Sequence, residues 1–598
     1  MKIGLIPQVV IDAANPASSV PYAPLGLLCL AGMVDRARHQ VEIIDLTLAV
    51  QQGVLPYDRV FDKAAARLIH ARSFDLVGFS TFSSTYHHTL NIVRELEALS
   101  PRTVRVFGGP QASFGHVETV EAFPVDYVVR GEGEQTFVEL LDALESGRPP
   151  DDVRGLTFKG DSGVVQTEDR PLIPDLDSLP VPAFDLYPLK KHPKAPIEVA
   201  RGCPYRCTFC ATSRYWRRCV RHKSIDRIFS EMTLLGDTYD VDFISFADDT
   251  FTVNRTWATA FCEHLVSRRF RRKWICSTRI DAVDPALLRS MARAGCAHVF
   301  YGIESGSARV QKQIRKDIKV DRVLDNLKAT AAAGIGVTAS LMMGFPDETE
   351  EDLGRTLELR NAIQRLFPTK QAIQIHILSP DVDTEITLEN ADRLRYDGFH
   401  SDQSGVLNAS FDEEMISKHP KLFLGYHYIE TRYLDREFIK LLHCFLSAAQ
   451  VICYWSSLYV MLRDGDPLCL ARAWMARFHG DPRPEGQPPD APLQRLATAH
   501  AAIFFQSYFR RENRIPAPVC DLYRHEFELM RVKGGLLVDR GMQRRAAGPA
   551  ALSTLRFDFD PRETIALIRE DIRKIANQKP KPTKIDYSPR QRPLPGRS

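Results

Sequence analysis

The sequence lacks a strong excess of either charge. Its 598 residues contain 78 Lys and Arg against 75 Asp and Glu, so the formal net charge is only +3. A nucleic-acid-binding domain is usually marked by a strongly basic face, and we therefore expect no nucleic-acid partner. Hydrophobic residues make up 44% and charged residues 26%, which is typical of a soluble globular protein. The length predicts several domains rather than one core.

Long uninterrupted apolar runs are also missing. The apolar stretch in residues 1–10 is broken by Pro7, so it predicts a first strand and not a signal peptide. Cys444–Leu462 carries no formal charge and is long enough to cross a bilayer. Because it contains polar residues such as Ser447 and Gln450, we interpret it as buried helix and predict no membrane span.

Cysteines are few and mostly isolated, which is typical of a reducing compartment and predicts a cytoplasmic protein. The exception is a run at spacing C-x3-C-x2-C, formed by Cys203, Cys207 and Cys210 directly after the predicted strand Pro196–Ala200. A [4Fe–4S] cluster normally takes four thiolates. Three thiolates would leave one iron open to an outside ligand, which favours a site of chemistry over one of electron storage.

Chance clustering or a structural zinc site would also account for this run of cysteines. His222 could supply the fourth zinc ligand, but zinc sites usually show paired C-x2-C units. The spacing and the preceding strand favour an iron–sulfur site with the three cysteines as metal ligands.

Residues 1–145 alternate short apolar strands with helical patterns. The predicted strands are Ile3–Val10, Val41–Asp45, Leu76–Ser80, Val104–Gly108 and Tyr127–Val129. This alternation predicts an α/β fold with a doubly wound, Rossmann-like parallel sheet, whose ligand lies beyond the carboxyl ends of the strands.

Glycine, hydroxyl and acidic residues follow three of these strands. Glycine allows a bulky ligand to approach the backbone, although a glycine at a strand end is often only part of a turn. The candidate ligand-binding residues are Ser80, Thr81, Ser83, Gly108, Gly109, Gln111, Gly131, Glu132 and Gly133.

The rest of the chain divides into four predicted segments. Residues 146–194 form a connector with a hairpin and a stiff proline-rich stretch. Residues 195–390 contain six strand–helix units, which predict a partial (β/α)6 barrel with its active site at the carboxyl ends of the strands. Residues 391–577 are mostly helical by period, and the proline- and lysine-rich tail 578–598 is predicted to be disordered.

The C-x3-C-x2-C loop after the first barrel strand resembles the signature of the radical S-adenosylmethionine enzymes. In that family the amino and carboxylate groups of S-adenosylmethionine chelate the open iron. Phe209 stands where the family places an aromatic residue beside the adenine. Asp248 and Asp249, at the end of the second barrel strand, resemble the motif that receives the amino group, although paired loop acids are often only solvated.

Two further barrel strands carry candidate residues for S-adenosylmethionine. Arg279 can bind a carboxylate through two hydrogen bonds, and the alternative is a salt bridge to Asp281. Tyr301-Gly-Ile-Glu304-Ser305 resembles the family's Gly-x-Glu-Ser segment, which implies that Glu304 and Ser305 contact the ribose or the ammonium group.

The glycine-rich strand ends, placed ahead of the cluster loop, resemble the cobalamin-dependent branch of this family. The N-terminal domain has no Asp-x-His-x-x-Gly motif, so the resemblance implies cobalamin bound without a histidine on its lower face. It implies a methyltransferase that uses methylcobalamin and a 5′-deoxyadenosyl radical to methylate an unactivated carbon of a small-molecule or peptide natural product. An external electron donor of the flavodoxin or ferredoxin type is implied as well.

Three other functions share some of these features. An oxidative cyclase or rearrangement enzyme, similar to the porphyrin-ring cyclases, would keep both cofactors without methyl transfer. Methylthio transfer to tRNA would need three more cluster cysteines in the N-terminal domain, where only Cys29 lies. A cobalamin sensor would leave the Cys203 loop unexplained.

Overall fold

The structure is a computed structural model that describes residues 1–11, 22–191, 194–367, 372–399, 410–487, 491, 493–510, 513, 515 and 517–534. By its internal contacts the chain divides into two compact units, Met1–Lys440 and Leu441–Ser598. The N-terminal unit contains two large β-sheets, and the described part of the C-terminal unit is helical.

The first sheet of the N-terminal unit has seven strands within the described residues. They are β1 (Lys2–Ile6), β2 (Gln40–Ile43), β3 (Leu76–Ser80), β4 (Val104–Gly108), β5 (Tyr127–Val129), β6 (Leu156–Gly160) and β7 (Gly163–Gln166). The order is β2-β1-β3-β4-β5-β6-β7, and β1 to β5 are parallel. The strand order reverses between β1 and β3, which is where such sheets bind ligands.

Helices cover both faces of this sheet, as the alternating pattern predicts. They are α1 (Leu25–Met33), α2 (Leu46–Gln51), α3 (Phe61–His70), α4 (Tyr86–Leu99), α5 (Pro110–Phe114), α6 (His116–Ala122) and α7 (Gly133–Ser146). One buried cluster holds Phe107 with residues of α3 and α4, and another holds Ile3 and Leu5 with residues of α1 and α7. The two clusters lie on opposite faces because neighbouring residues of a strand point to opposite sides.

The predicted hairpin of the connector belongs to the first sheet. Strand β6 pairs antiparallel with β5, through Val129 and Leu156 among others, and β7 pairs antiparallel with β6. The hairpin predicted within the connector therefore extends the first sheet. The free edge of β5 offers unpaired N–H and C=O groups, and the hairpin satisfies them.

The second sheet has six parallel strands within the described residues, in the order β15-β14-β13-β12-β11-β8. The strands of this region, including the short β9–β10 pair, are β8 (Ala195–Glu198), β9 (Ala200–Arg201), β10 (Arg221–His222), β11 (Phe243–Ala247), β12 (Lys273–Arg279), β13 (Cys296–Glu304), β14 (Gly336–Met343) and β15 (Ile373–Ile377). The helices are α8 (Thr212–Tyr215), α9 (Ile225–Tyr239), α10 (Arg255–Ser267), α11 (Pro285–Arg293), α12 (Ala308–Gln313), α13 (Val320–Ala332) and α14 (Glu350–Leu366). This arrangement confirms the partial (β/α) barrel.

Aromatic packing holds the barrel strands against their helices. Trp274 on β12 is fully buried and stacks on Phe246 of β11 with ring centroids 4.8 Å apart. Phe261 of α10 packs edge-on against both rings. Alternate residues of β12 face this layer, so the residues between them face the barrel interior.

The segment after the barrel returns to the first sheet. It contains α15 (Glu385–Glu389), β16 (Leu394–Arg395), α16 (Ser410–Lys418) and β17 (Tyr428–Ile429). Asn91 of α4 donates to Asp412 at 2.7 Å, and the Gln111 amide donates to the Leu422 carbonyl at 2.7 Å. The compact unit therefore ends at Lys440, well beyond the predicted boundary at residue 390.

The C-terminal unit is helical in its described part, as predicted. Its helices are α17 (Arg436–Ile452), which begins in the first unit, α18 (Tyr454–Asp464), α19 (Cys469–Phe478), α20 (Leu493–Tyr508) and α21 (Ala517–Gly534). The apolar stretch at 444–462 forms two helices separated at Cys453, and no helix in the described residues has the length and apolar character needed to cross a membrane. The predicted disordered tail lies outside the described residues.

Candidate active site

The cluster loop runs from the end of β9 to the start of α8. Two backbone hydrogen bonds attach its middle residue, Thr208, to neighbouring segments: its N–H donates to the Ile314 carbonyl, and its carbonyl accepts from the Ile386 N–H, both at 3.0 Å. The Cys210 N–H donates to the Cys207 carbonyl at 3.2 Å. The three cysteines of the loop are free and partly buried, so their thiols are available as ligands.

Burial makes the thiols of Cys203 and Cys207 costly to ionise in the absence of a counter-charge. It raises the pKa of Cys203, and it raises the pKa of Cys207 to about 11 although Lys316 and Arg279 act in the opposite direction. A coordinating metal removes the thiol proton outright. Three partly buried thiols, with Lys316 and Arg279 beside Cys207, are therefore a donor set that fits an iron–sulfur cluster.

The zinc alternative gains no support from His222. Its ring packs against Trp257, with centroids 4.6 Å apart. Among the residues that the structure describes, no three His, Cys, Asp or Glu side chains converge closely enough to hold a single metal ion.

Gly202 sets the direction in which the loop leaves the barrel. Its φ is +99°, a conformation that L side chains rarely adopt, and a Cβ at this position would overlap the carbonyl oxygen of Cys219. Glycine is the residue that accepts both constraints.

Gly202→Ala is therefore expected to displace the loop and to lower the iron retained per chain, since changes around a metal ligand lower metal affinity by about 10–100-fold. Iron and sulfide analysis after anaerobic reconstitution measures the effect. Gly354→Ala is the matched control, because Gly354 lies in α14 with nothing within 4 Å of the added carbon. Equal iron content in both variants would contradict the assigned role of Gly202.

The acids after β11 differ in their surroundings. Asp249 accepts a hydrogen bond from the Gly202 N–H at 3.1 Å, and burial raises its pKa to about 6. Both carboxylate oxygens of Asp248 are buried without a well-formed hydrogen bond from the described residues. Burial and the neighbouring Asp249 raise the pKa of Asp248 well above its ordinary range. Such an unpartnered carboxyl fits an incoming ammonium group.

Glu304 has a strained backbone at the end of β13. Its φ is +68°, which costs a residue other than glycine about 1–3 kcal/mol and is typical of functional sites. Its carboxylate accepts from Lys316 Nζ at 2.5 Å, and the same Nζ lies 5.8 Å from the centre of the Phe209 ring. The structure therefore brings Glu304 and Phe209 together around Lys316. The sequence did not predict a role for Lys316, because no motif marks this residue.

Arg279 is paired with Asp281, as the alternative interpretation of this residue expects. Its guanidinium makes two hydrogen bonds to Asp281, at 3.0 and 2.8 Å, and lies 4.0 Å from the Tyr205 ring centre. Only Nη1 is buried without a partner in the described residues. A contact with the S-adenosylmethionine carboxylate remains a prediction for this one nitrogen.

A single cavity of about 620 Å³ joins the carboxyl ends of both sheets. From the first sheet its wall takes Gly78, Ser80, Gly108, Gly109, Gly131, Glu132 and Gly133, and from the barrel it takes Glu198, Arg201, Asp248 and Asp249. Gly131 has a φ of +69° and open space where a Cβ would stand. A broad ligand can lie against this glycine-lined wall, and the cavity volume is typical of ligand sites.

Comparison with known proteins agrees with this geometry. The family model described as the radical SAM superfamily matches residues 197–360, and the B12 binding domain matches residues 17–141. An uncharacterised methyltransferase of Pyrococcus horikoshii is 33% identical over 364 residues, which are 60% of this chain and 77% of that protein. The chain belongs to the cobalamin-dependent radical S-adenosylmethionine enzymes.

One further relative and one solved structure are also similar to this chain. An anaerobic magnesium-protoporphyrin IX monomethyl ester cyclase of Synechocystis is 28% identical over 59% of this chain and 70% of its own length. The solved structure of the cobalamin-dependent S-adenosylmethionine radical enzyme OxsB with aqua-cobalamin has a TM-score of 0.59 at 16% identity, covering 96% of this chain and 84% of that one. At that identity the likeness concerns the fold.

Membership in this family confirms the predicted cofactors, which are a [4Fe–4S] cluster, S-adenosylmethionine and cobalamin. In this enzyme the cobalamin-side residues predicted from the strand ends fall into two groups. Ser80 and the four predicted glycines line the cavity together with Glu132. Thr81, Ser83 and Gln111 are not part of the wall, since Thr81 is buried against the Gly108 carbonyl and Gln111 binds Leu422.

Ser305 is likewise placed away from the open site. It is fully buried, its hydroxyl lies 3.0 Å from that of Thr356, and it accepts from the Ser307 N–H. The segment after β13 therefore pairs Glu304 with Lys316 and uses Ser305 to hold the start of α12.

Proposed function

We propose that this enzyme transfers a methyl group to a carbon atom of a small molecule or of a peptide side chain. The observation that carries the proposal is the single cavity that joins the glycine-lined wall of the first sheet to Asp248 and Asp249 of the barrel. A substrate held there would lie between the glycine-lined wall and the two acids that follow β11.

The roles of the residues follow from their positions. When bound, the cluster and S-adenosylmethionine supply radical chemistry, and cobalamin carries the methyl group. Cys203, Cys207 and Cys210 hold the cluster, Asp248 accepts the ammonium of S-adenosylmethionine, and Phe209 packs against its adenine. Glu304, oriented by Lys316 at 2.5 Å, binds the ribose hydroxyls.

One methylation in this scheme consumes two molecules of S-adenosylmethionine and two electrons. It releases S-adenosylhomocysteine, methionine and 5′-deoxyadenosine along with the methylated product. The electrons come from a flavodoxin- or ferredoxin-type donor. The reducing cytoplasm is the proposed location, which the free state of all twelve cysteines supports.

The proposal is tested without knowledge of the substrate. Anaerobically reconstituted enzyme is loaded with hydroxocobalamin, reduced with titanium(III) citrate and mixed with S-adenosylmethionine that carries a deuterated methyl group. The expected result is protein-bound methylcobalamin with the deuterated methyl, detected by mass spectrometry. Cobalamin that stays bound but unmethylated would overturn methyl transfer. It would favour the cyclase function, which is the function named for the 28%-identical protein of Synechocystis.

Asp248→Asn is expected to weaken S-adenosylmethionine binding by about tenfold or more, because a charge-assisted hydrogen bond contributes about 1.5–3 kcal/mol. Equilibrium dialysis with labelled S-adenosylmethionine on the reconstituted protein measures the affinity. Asp281→Asn is the matched control, since Asp281 pairs with Arg279 rather than standing unpartnered. A larger loss in Asp281→Asn would reassign the binding role.

A further inference from the structure

A carboxylate that no sequence motif marks lies between the two cofactor regions. Glu198 ends β8, opposite Ala247 of β11 in the sheet register, so it is a neighbour of Asp248 at the barrel mouth. It also lines the cavity that reaches the glycine-rich wall of the first sheet.

The two oxygens of Glu198 have different surroundings. Oε2 accepts from Arg201 Nε at 2.8 Å. Oε1 is buried and receives no hydrogen bond from the described residues. A buried acceptor left without a donor costs about 1–3 kcal/mol, so this oxygen is suited to a donor that arrives with a ligand.

Arg201 holds this carboxylate in one orientation. The arginine is only 5% exposed, and it also binds Glu132 at 2.7 Å and Glu134 at 2.5 Å. Burial alone would lower the pKa of Arg201, but its ion pairs with Glu134 and Glu198 raise it, so the cation persists. Each guanidinium nitrogen of Arg201 donates to a carboxylate, so the guanidinium holds Oε2 of Glu198 in place. Oε1 of the same carboxylate therefore points in a constant direction.

We propose that Glu198 Oε1 accepts a hydrogen bond from a nitrogen donor on a ligand of the shared cavity. Two sources carry such donors: the amide groups on the rim of the corrin ring, and the ammonium group of S-adenosylmethionine. The inference deepens the proposed function and rests on it for the assumption that both cofactors share this cavity. Glu198 is a binding residue here and takes no part in bond making or breaking.

Glu198→Gln tests the inference, because it removes the charge and keeps the size of the side chain. Hydroxocobalamin and S-adenosylmethionine are titrated separately into the reconstituted protein, with visible absorbance reporting the first and equilibrium dialysis the second. One of the two affinities is expected to fall by about tenfold or more, as for a hydrogen bond to a charged group. A weaker affinity for hydroxocobalamin identifies the corrin amides as donor, and a weaker affinity for S-adenosylmethionine identifies its ammonium.

Glu134→Gln is the matched control. Glu134 lines the same cavity and pairs with the same arginine, but neither of its oxygens is a buried atom without a partner. Glu134→Gln leaves the unpartnered oxygen of Glu198 in place, so the affinities of this variant for both ligands are expected to stay near those of the wild type. Unchanged affinities in Glu198→Gln, or equal losses in both variants, would overturn the inference.

If Glu198→Gln is unstable, a second variant, Glu198→Asp, tests the same inference. Glu198→Asp keeps the charge beside Arg201 and withdraws the oxygen by one methylene, so it is expected to melt near the wild-type temperature and still to lose affinity for the same ligand. Wild-type affinity in a folded Glu198→Asp protein would count against the inference. Methylcobalamin formation by the wild type is independent of these titrations, so failure of the inference and failure of the proposed function are distinguishable.

Discussion

Cys207→Ala is expected to lose the iron–sulfur cluster and, with it, reductive cleavage of S-adenosylmethionine. The substitution leaves two thiolates where the cluster needs three from the chain. Changing a group that only orients a metal ligand already lowers metal affinity by about 10–100-fold, so loss of a ligand itself should exceed that range. Iron content, the sulfide-to-iron absorbance bands and 5′-deoxyadenosine released after reduction are the measurements.

Cys219→Ala provides the matched control for this experiment. Cys219 is an exposed free thiol close to the cluster loop in sequence, but it stands outside the C-x3-C-x2-C spacing. Its removal should leave iron content and 5′-deoxyadenosine formation at the wild-type level. If Cys207→Ala retained its iron, or if Cys219→Ala lost as much, the assignment of the three cysteines as ligands would fail.

Arg201→Met is expected to have the largest effect on stability. The arginine compensates three carboxylates, and the side chains of Glu132 and Glu134 are only 2% and 8% exposed. Arg221 continues to pair with Glu132 at 2.9 Å, but Glu134 and Glu198 lose their partner. Removing one member of a buried ion pair costs about 3–5 kcal/mol because the remaining charge is left uncompensated. The midpoint of urea unfolding, compared between variant and wild type, measures the loss.

Two further variants distinguish the loss of a buried ion pair from the loss of an exposed arginine. Arg214→Met removes a half-exposed arginine that pairs with the half-exposed Asp383 at 2.9 Å, and such pairs contribute about 0–1 kcal/mol. Adding Glu134→Gln to Arg201→Met removes one unpaired charge and should recover part of the stability. A wild-type unfolding midpoint in Arg201→Met would show that the network does not stabilise this unit.

Local patterns in the sequence were enough for the parts of the fold that depend on short-range periodicity. The strands at 76–80, 104–108 and 127–129 have the predicted bounds, because buried parallel strands read as short apolar runs. The six barrel strands were found for the same reason. The cysteine spacing identified the cluster loop, since three thiols this close on one loop can bind the same cluster.

Pairings between distant segments were not predictable in this way. The sequence pattern of the hairpin at 156–166 predicts two strands but does not indicate their partner. Its place in the first sheet follows only from its pairing with β5. The compact unit extends to Lys440, past the boundary predicted near residue 390, for a related reason. Contacts such as Asn91 with Asp412 join segments 321 residues apart, and no local composition shift records them.

The sequence by itself determined the class of chemistry, because three thiols at fixed spacing and glycines at strand ends are local requirements of the cofactors. The tertiary structure decided which charged residues face the cavity. Glu198, Arg201 and Lys316 are ordinary charged residues in the sequence, and their surroundings come from different elements of the chain. The free energy of a buried charge depends on the partners that folding brings to it, so its role is fixed only when those partners are in place.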